Sequence, residues 1–268
     1  MSRAAAPGAA ALALVLASAG VAHAGLADRI GATFALMAED FARAFQSVEG
    51  LIVSEEGDTL YLDLGEGQGA QVGQEFTIFR KGAPFVHPLT GAPLGQFEEM
   101  LGYAQITRVQ PRFSEARYVP VDGKPRPHVD DGVRITRGRL RIAVTPVLDL
   151  TGSKADLRRV PYLCTLVLER SKRFQVADPL TVGELFVNGG ARVEEVLSLP
   201  DRAMRMSTSL DVTGWVVPVL LERRSVTYLD ATWISAVTGT ALFSRRLPLV
   251  PPTAAEEQRF PWEPGVED

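Results

Sequence analysis

Ile30, Phe34, Met37, Phe41 and Phe45 recur at intervals of four, three, four and four, which places them on one stripe of a helix. Residues 26–45 therefore read as an amphipathic helix, with Asp28, Glu39 and Asp40 off the stripe. A helix lying on a membrane surface favours Lys and Arg on its polar face. Here Arg29 and Arg43 stand against three acids, so the helix is expected to pack on its own protein. From Gly50 the period shortens. Leu51-Ile52-Val53 starts a strand, Gly57-Asp58 makes a turn, and Thr59 to Leu64 alternates with period two. Gly65, Gly67 and Gly69 form a loop before a strand over Gln74–Arg80. Pro88-Leu89-Thr90-Gly91 and Pro93 mark a long loop, and Leu101–Val109 and Glu115–Val119 are further strands. Short strands punctuated by Gly and Pro predict a small β-barrel over 50–133. Asp122–Pro127 has the composition of a linker.

Beyond it, strands and helices interleave. Leu140, Ile142, Val144 and Val147 predict a strand with Arg139 and Arg141 on the other face. Lys154–Ser171 has helical spacing, with Pro161 as a bend or boundary. Phe174–Val176 is a short strand ended by Asp178-Pro179. Val182–Asn188 and Arg192–Leu210 are helical, broken at Pro200-Asp201, where Asp201 is the expected N-cap. Three strands follow at Gly214–Leu221, Ser225–Ile234 and Thr240–Leu247. The expected fold class is α+β: an N-terminal helix (25–49), the small β-barrel, an α/β mixed-sheet domain (134–247) and a Pro/Glu-rich tail (248–268).

Residues 1–24 are a different kind of segment. Arg3 supplies a positive start, Ala9–Val21 is a short apolar run, and Ala22-His23-Ala24 is a small-x-small cleavage site. A membrane anchor or an Ala-rich leader is the competing reading, but this layout is that of a secretory signal peptide, cut near Ala24. Export to the periplasm is expected. No later stretch approaches the ~18 apolar residues of a transmembrane helix. Loss of Arg3 with the leader takes the formal charge from −4 to −5, which argues against a nucleic-acid binder. The single Cys164 can form no internal disulfide, so stability must come from packed cores.

Candidate chemistry is sparse. Gly65-Glu66-Gly67-Gln68-Gly69-Ala70 fits G-x-G-x-x-A, but a dinucleotide site needs a helix next, and here a strand follows. The glycines are expected to serve turns. His87 and His128 each flank a proline and lack zinc-site spacing; Asp130-Asp131 beside His128 offers at most a weak metal site. Asp63 and Glu66 make a formal carboxylate pair, with Asp63 facing solvent. Cys164, among Leu163, Val167 and Leu168, is expected to be a buried thiol. Arg134, Arg137, Arg139 and Arg141 cluster without aromatics and read as a solvated face; an acidic partner or phospholipid heads are the alternative. No catalytic residue, cofactor or metal is assigned. The candidate partner-binding residues are Arg139 and Arg141, with Phe260 and Trp262 as docking anchors in the tail.

Two family resemblances bear on this. Glu49–Gly82, with Asp63-Leu64-Gly65 and Gly69-Ala70-Gln71-Val72-Gly73 before Phe76, resembles the C-terminal domain of flagellar assembly protein T, and Pro88–Gly95 with Leu101–Val109 continues the pattern. Arg141–Pro146, Ser171–Asp178, Tyr228–Ala231 and Thr238–Phe243 are similar to the periplasmic α/β domains of the TolB N-terminal region and of curli-secretion lipoproteins. Many of those are lipoproteins, whereas no Cys lies near position 24 here. The resemblances imply a non-catalytic envelope or flagellar assembly protein that works by protein–protein contact. Its implied partners are envelope or flagellar basal-body proteins, or further copies of itself. The alternative is a periplasmic small-ligand binder or enzyme using the Gly65–Gly73 or Leu89–Gly95 loop.

Overall fold

The computed structural model describes residues 25–251; residues 1–24, where the signal peptide is expected, and residues 252–268 lie outside it. Six strands form a ring: β1 (Val48–Glu56), β2 (Thr59–Leu62), β3 (Glu75–Val86), β4 (Pro93–Val109), β5 (Ser114–Pro120) and β6 (Gly132–Ile135). Their order is β1-β2-β5-β4-β3-β6, and β6 also pairs with β1, so the barrel closes and its ring has no free edge. Alternation places Leu60 and Leu62 inside with Ile52, Phe76, Ile78, Leu101, Ile106 and Val133. Asp122–Pro127 is not a boundary between domains: it joins β5 to β6 within the ring. Arg126 ties this loop down by donating to the Gly57 carbonyl and to Asp58.

The second body is a sheet between two helical layers. Its strands are β7 (Leu140–Val144), β8 (Leu148–Asp149), β9 (Phe174–Val176), β10 (Gly214–Arg223), β11 (Val226–Ser235) and β12 (Ala241–Pro248). The order is β12-β11-β10-β7-β9, antiparallel from β12 to β10 and parallel from β10 to β9, with β8 beside β10. Helices α1 (Leu26–Ala44) and α2 (Val160–Arg170) share one core with one face of the sheet. Helices α3 (Pro179–Asn188), α4 (Val193–Ser198) and α5 (Pro200–Leu210) share another core with the opposite face.

Helix α1 forms where its stripe predicts, but it is no separate unit. Phe41 meets Phe243 edge-on at 5.0 Å, and Phe45 lies 4.0 Å from Trp233. Full burial of each such ring favours the fold by roughly 1.5–3 kcal/mol. The barrel is thus an insertion between α1 and β7 of one α/β domain. Arg173 holds both crossings: its guanidinium donates to the carbonyls of Phe45, Thr136 and Gly138. Burial without a carboxylate partner pulls its pKa below the ordinary value. Replacing it (Arg173→Ala) leaves three carbonyls without their donor and is expected to cost about 1–3 kcal/mol. Calorimetry should then show barrel and α/β domain melting apart, against a single transition expected of the wild type.

Two helix starts differ from expectation. Pro161 lies in the first turn of α2, so the helix begins at Val160 rather than Lys154. In α5, Pro200 takes the first helical position, which makes Leu199 the cap and puts Asp201 inside the first turn. The side-chain cap is found instead at Asp178, which accepts from the Leu180 and Thr181 N–H groups ahead of α3.

Candidate protein-contact surface

Strand β6 leaves β3 at Phe79, and β3 and β4 continue alone as a two-stranded arm. Arg80 pairs with Glu99, Lys81 with Glu98, Phe85 with Gly95 and Val86 with Pro93. The expected long loop over Pro88–Pro93 is therefore a tight tip. His87 N–H donates to the Ala92 carbonyl at 2.8 Å, and His87 Nδ1 accepts from the Leu89 and Thr90 N–H groups. Gly91 turns the chain with φ +67°.

The arm is apolar where it meets water. Leu89 is 90% exposed, Phe97 65%, Leu94 53%, Val86 51% and Phe85 44%, and the Phe85 and Phe97 rings lie 5.3 Å apart. A lone two-stranded ribbon is marginal in water, and exposed apolar residues clustered on it mark a binding surface. Pro84 and Pro93 remove ladder donors and discourage open-ended strand addition.

Charged pairs fix the base of the arm. Arg80 grips Asp131 through two bonds of 2.8 and 2.6 Å, and Asp131, 6% exposed, also accepts the His128 N–H. That hydrogen bonding to Asp131 holds the Arg80 pKa above its ordinary value. Arg134 donates to Glu98 at 2.6 Å, which holds that carboxyl below its usual range, and stacks 4.2 Å from the Phe79 ring centre. Lys124–Glu99 and Lys81–Glu49 add looser pairs.

The other candidate residues do not converge. Asp131 is engaged by Arg80, while the His128 ring faces Glu55 at 3.4 Å. Among the described residues no group of three His, Cys, Asp or Glu is placed to hold a metal ion. Asp63 is exposed and accepts the Leu51 N–H, while Glu66 opens a single 3-10 turn at Glu66–Gln68. Gly73, with φ +86°, is needed for close packing: a Cβ there would sit 1.8 Å from the Leu242 carbonyl oxygen. Cys164 is buried in the α1–α2 core, and burial raises its thiol pKa.

Arg139 donates to the Phe174 carbonyl and Arg141 pairs with Asp211 at 3.1 Å, and both side chains stay about half exposed. Phe260 and Trp262 lie outside the described residues. Of the arm, sequence reasoning singled out only the Leu89–Gly95 stretch, as a ligand loop; Phe85, Val86 and Phe97 escaped it, and their only signal was apolar residues inside a Pro/Gly-rich stretch.

A cleft of about 500 Å³ runs between barrel and α/β domain. Glu75 on its wall accepts from Gln105 at 2.7 Å and from Ser235 at 2.9 Å, linking the two bodies. Desolvation raises its pKa above the ordinary 4.5, and the two hydrogen bonds only partly oppose this. The folded state then holds the Glu75 proton more tightly than the unfolded chain does. Its contribution is full below 4.5 and is lost as pH rises through the raised value. Glu75→Gln is expected to flatten stability against pH in that window, as read from urea midpoints; an unchanged profile would contradict the assignment.

No family model matches the chain. An uncharacterized protein of Aquifex aeolicus (strain VF5) is 33% identical over 90 residues, 34% of this chain and 18% of that protein. The chain thus spans less than a fifth of the length of that relative. Among solved structures, the LpoB C-terminal domain from Escherichia coli is similar over 43% of this chain and 86% of its own, at 10% identity and TM-score 0.36. Lipoprotein GNA1162 from Neisseria meningitidis is similar over 41% and 78%, at 16% identity and TM-score 0.32. Likeness at that level carries no argument about function.

Proposed function

We propose that this protein assembles or stabilises a cell-envelope structure, the flagellum foremost, by protein–protein contact on the periplasmic side and without catalysis of its own. The observation that carries the contact reading is the arm: Phe85, Leu89, Leu94 and Phe97 stand exposed on a ribbon whose base is clamped by Arg80–Asp131 and Arg134–Glu98. Aromatic side chains on a preoriented element are what interface anchors require. The periplasmic part rests on the leader at 1–24, and the flagellar part on the sequence pattern of Glu49–Val109. The Gly65–Gly73 loop lends the ligand-binding alternative no support, because Gly65 and Gly73 pack against the backbones of Pro111–Arg112 and Leu242.

The test is a photoreactive residue placed at Phe97 or Leu89 in the cells that make the protein, with Glu56 and Lys172 as exposed controls. Adducts from the arm alone, containing basal-body or other envelope-assembly proteins, are expected. Equal labelling from arm and controls would remove the arm from the function.

A further inference from the structure

At the end of the α/β domain away from the barrel, α2 and α3 leave an open groove. The barrel meets the domain at Leu140 and Thr213, where β7 and β10 begin. The groove opens past the other end of β7, where the chain runs through Pro146 and Val147. It encloses about 660 Å³, and its apolar wall includes Leu157, Pro161, Tyr162 and Leu180. Leu180 is 60% exposed, and Val187, also on the wall, 81%. Asp156, Arg158 and Glu184 edge it; hydrogen bonds from Arg158 hold the Asp156 carboxyl at about 2.

The chain leaves the described fold beside this groove. Val250 donates its N–H to Thr33 Oγ1 at 3.0 Å and accepts from Arg29 at 2.8 Å, so the exit lies on the first turns of α1. Asp28 in the same turn lies 3.6 Å from Arg159, in the segment that walls the groove. Packed helices lie ~8–10 Å apart, and the nine to eleven residues from Pro251 to Phe260 and Trp262 can span ~30 Å. Phe260 and Trp262 are the aromatic residues of 252–268, and they flank Pro261. Prolines restrict the free segment, so less conformational entropy is lost on docking.

We propose that Phe260-Pro261-Trp262 of this chain seats in the groove between α2 and α3, making the groove a peptide site occupied by the protein's own 252–268 segment. This contact is independent of the arm and of the assembly reading.

Trp262 reports it directly, because Trp215 and Trp233 are 0% and 3% exposed. Acrylamide quenching of the full chain, with Trp262→Phe subtracted, isolates its signal. A seated Trp262 should be strongly protected, and Val187→Glu or Leu180→Glu, both at exposed positions, should raise its quenching to that of the urea-unfolded chain. Protection should hold across about a hundredfold dilution, as an intramolecular contact does. Three results would each overturn the proposal: wild-type quenching already at the unfolded level, protection untouched by both groove variants, or protection lost on dilution, which would assign the groove to a second copy.

Discussion

Phe41→Ala is expected to lower the stability of the α/β domain by about 3–5 kcal/mol, the usual loss for truncating a fully buried aromatic ring. Phe41 is 0% exposed, lies edge-on to Phe243 and sits 5.9 Å from Phe34. A cavity there opens between α1 and β12, elements that stand on opposite sides of the barrel in the sequence. Urea unfolding of the full chain measures it cleanly, because both buried tryptophans, Trp215 and Trp233, belong to the α/β sheet. The fluorescence midpoint should fall with little change in slope. A loss under ~1 kcal/mol, typical of a surface position, would mean that α1 is not part of that core.

The second large effect falls on binding and leaves stability alone. Phe85→Ser with Phe97→Ser changes two side chains that are 44% and 65% exposed and whose rings lie 5.3 Å apart. Melting should therefore shift by no more than about 0.5 kcal/mol. Aromatic anchors at interfaces are each worth ~2 kcal/mol or more, so affinity for a partner captured through the arm should drop by at least about a hundredfold. Unchanged affinity would make the exposed rings incidental; a collapsed melting curve would make them structural.

These two sites differ in how far the sequence exposes them. The α1 stripe is legible because after Phe34 one helix face is buried, at Met37, Phe41 and Ala44, and the repeat records that face; residues 30–34 are buried all round. What it packs against is not, since Phe243 and Trp233 lie beyond the whole inserted barrel. The barrel's β2 alternates in sequence because one of its faces is core. Residues 81–99 of the arm are almost all wet on both faces, which erases alternation, and Pro84, Pro88, Pro93 and Gly95 then read as loop.

Asp122–Pro127 misleads in the same way, since composition records nothing of Arg126 reaching back to Gly57. The Arg80–Asp131 and Arg173–Phe45 contacts join residues 51 and 128 positions apart, so no local pattern announces them. The partners of Arg139 and Arg141, the Phe174 carbonyl and Asp211, lie 35 and 70 positions away and are equally silent in the local pattern.

Function through the arm is tested most directly by removing it. Residues 82–97 can be replaced by an Asn-Gly turn joining Lys81 to Glu98, which keeps the Arg80–Asp131 clamp and the closed ring. In cells carrying this as their only copy, the account predicts a protein of wild-type melting temperature that no longer supports assembly of its envelope structure. Normal assembly with the armless protein would contradict it.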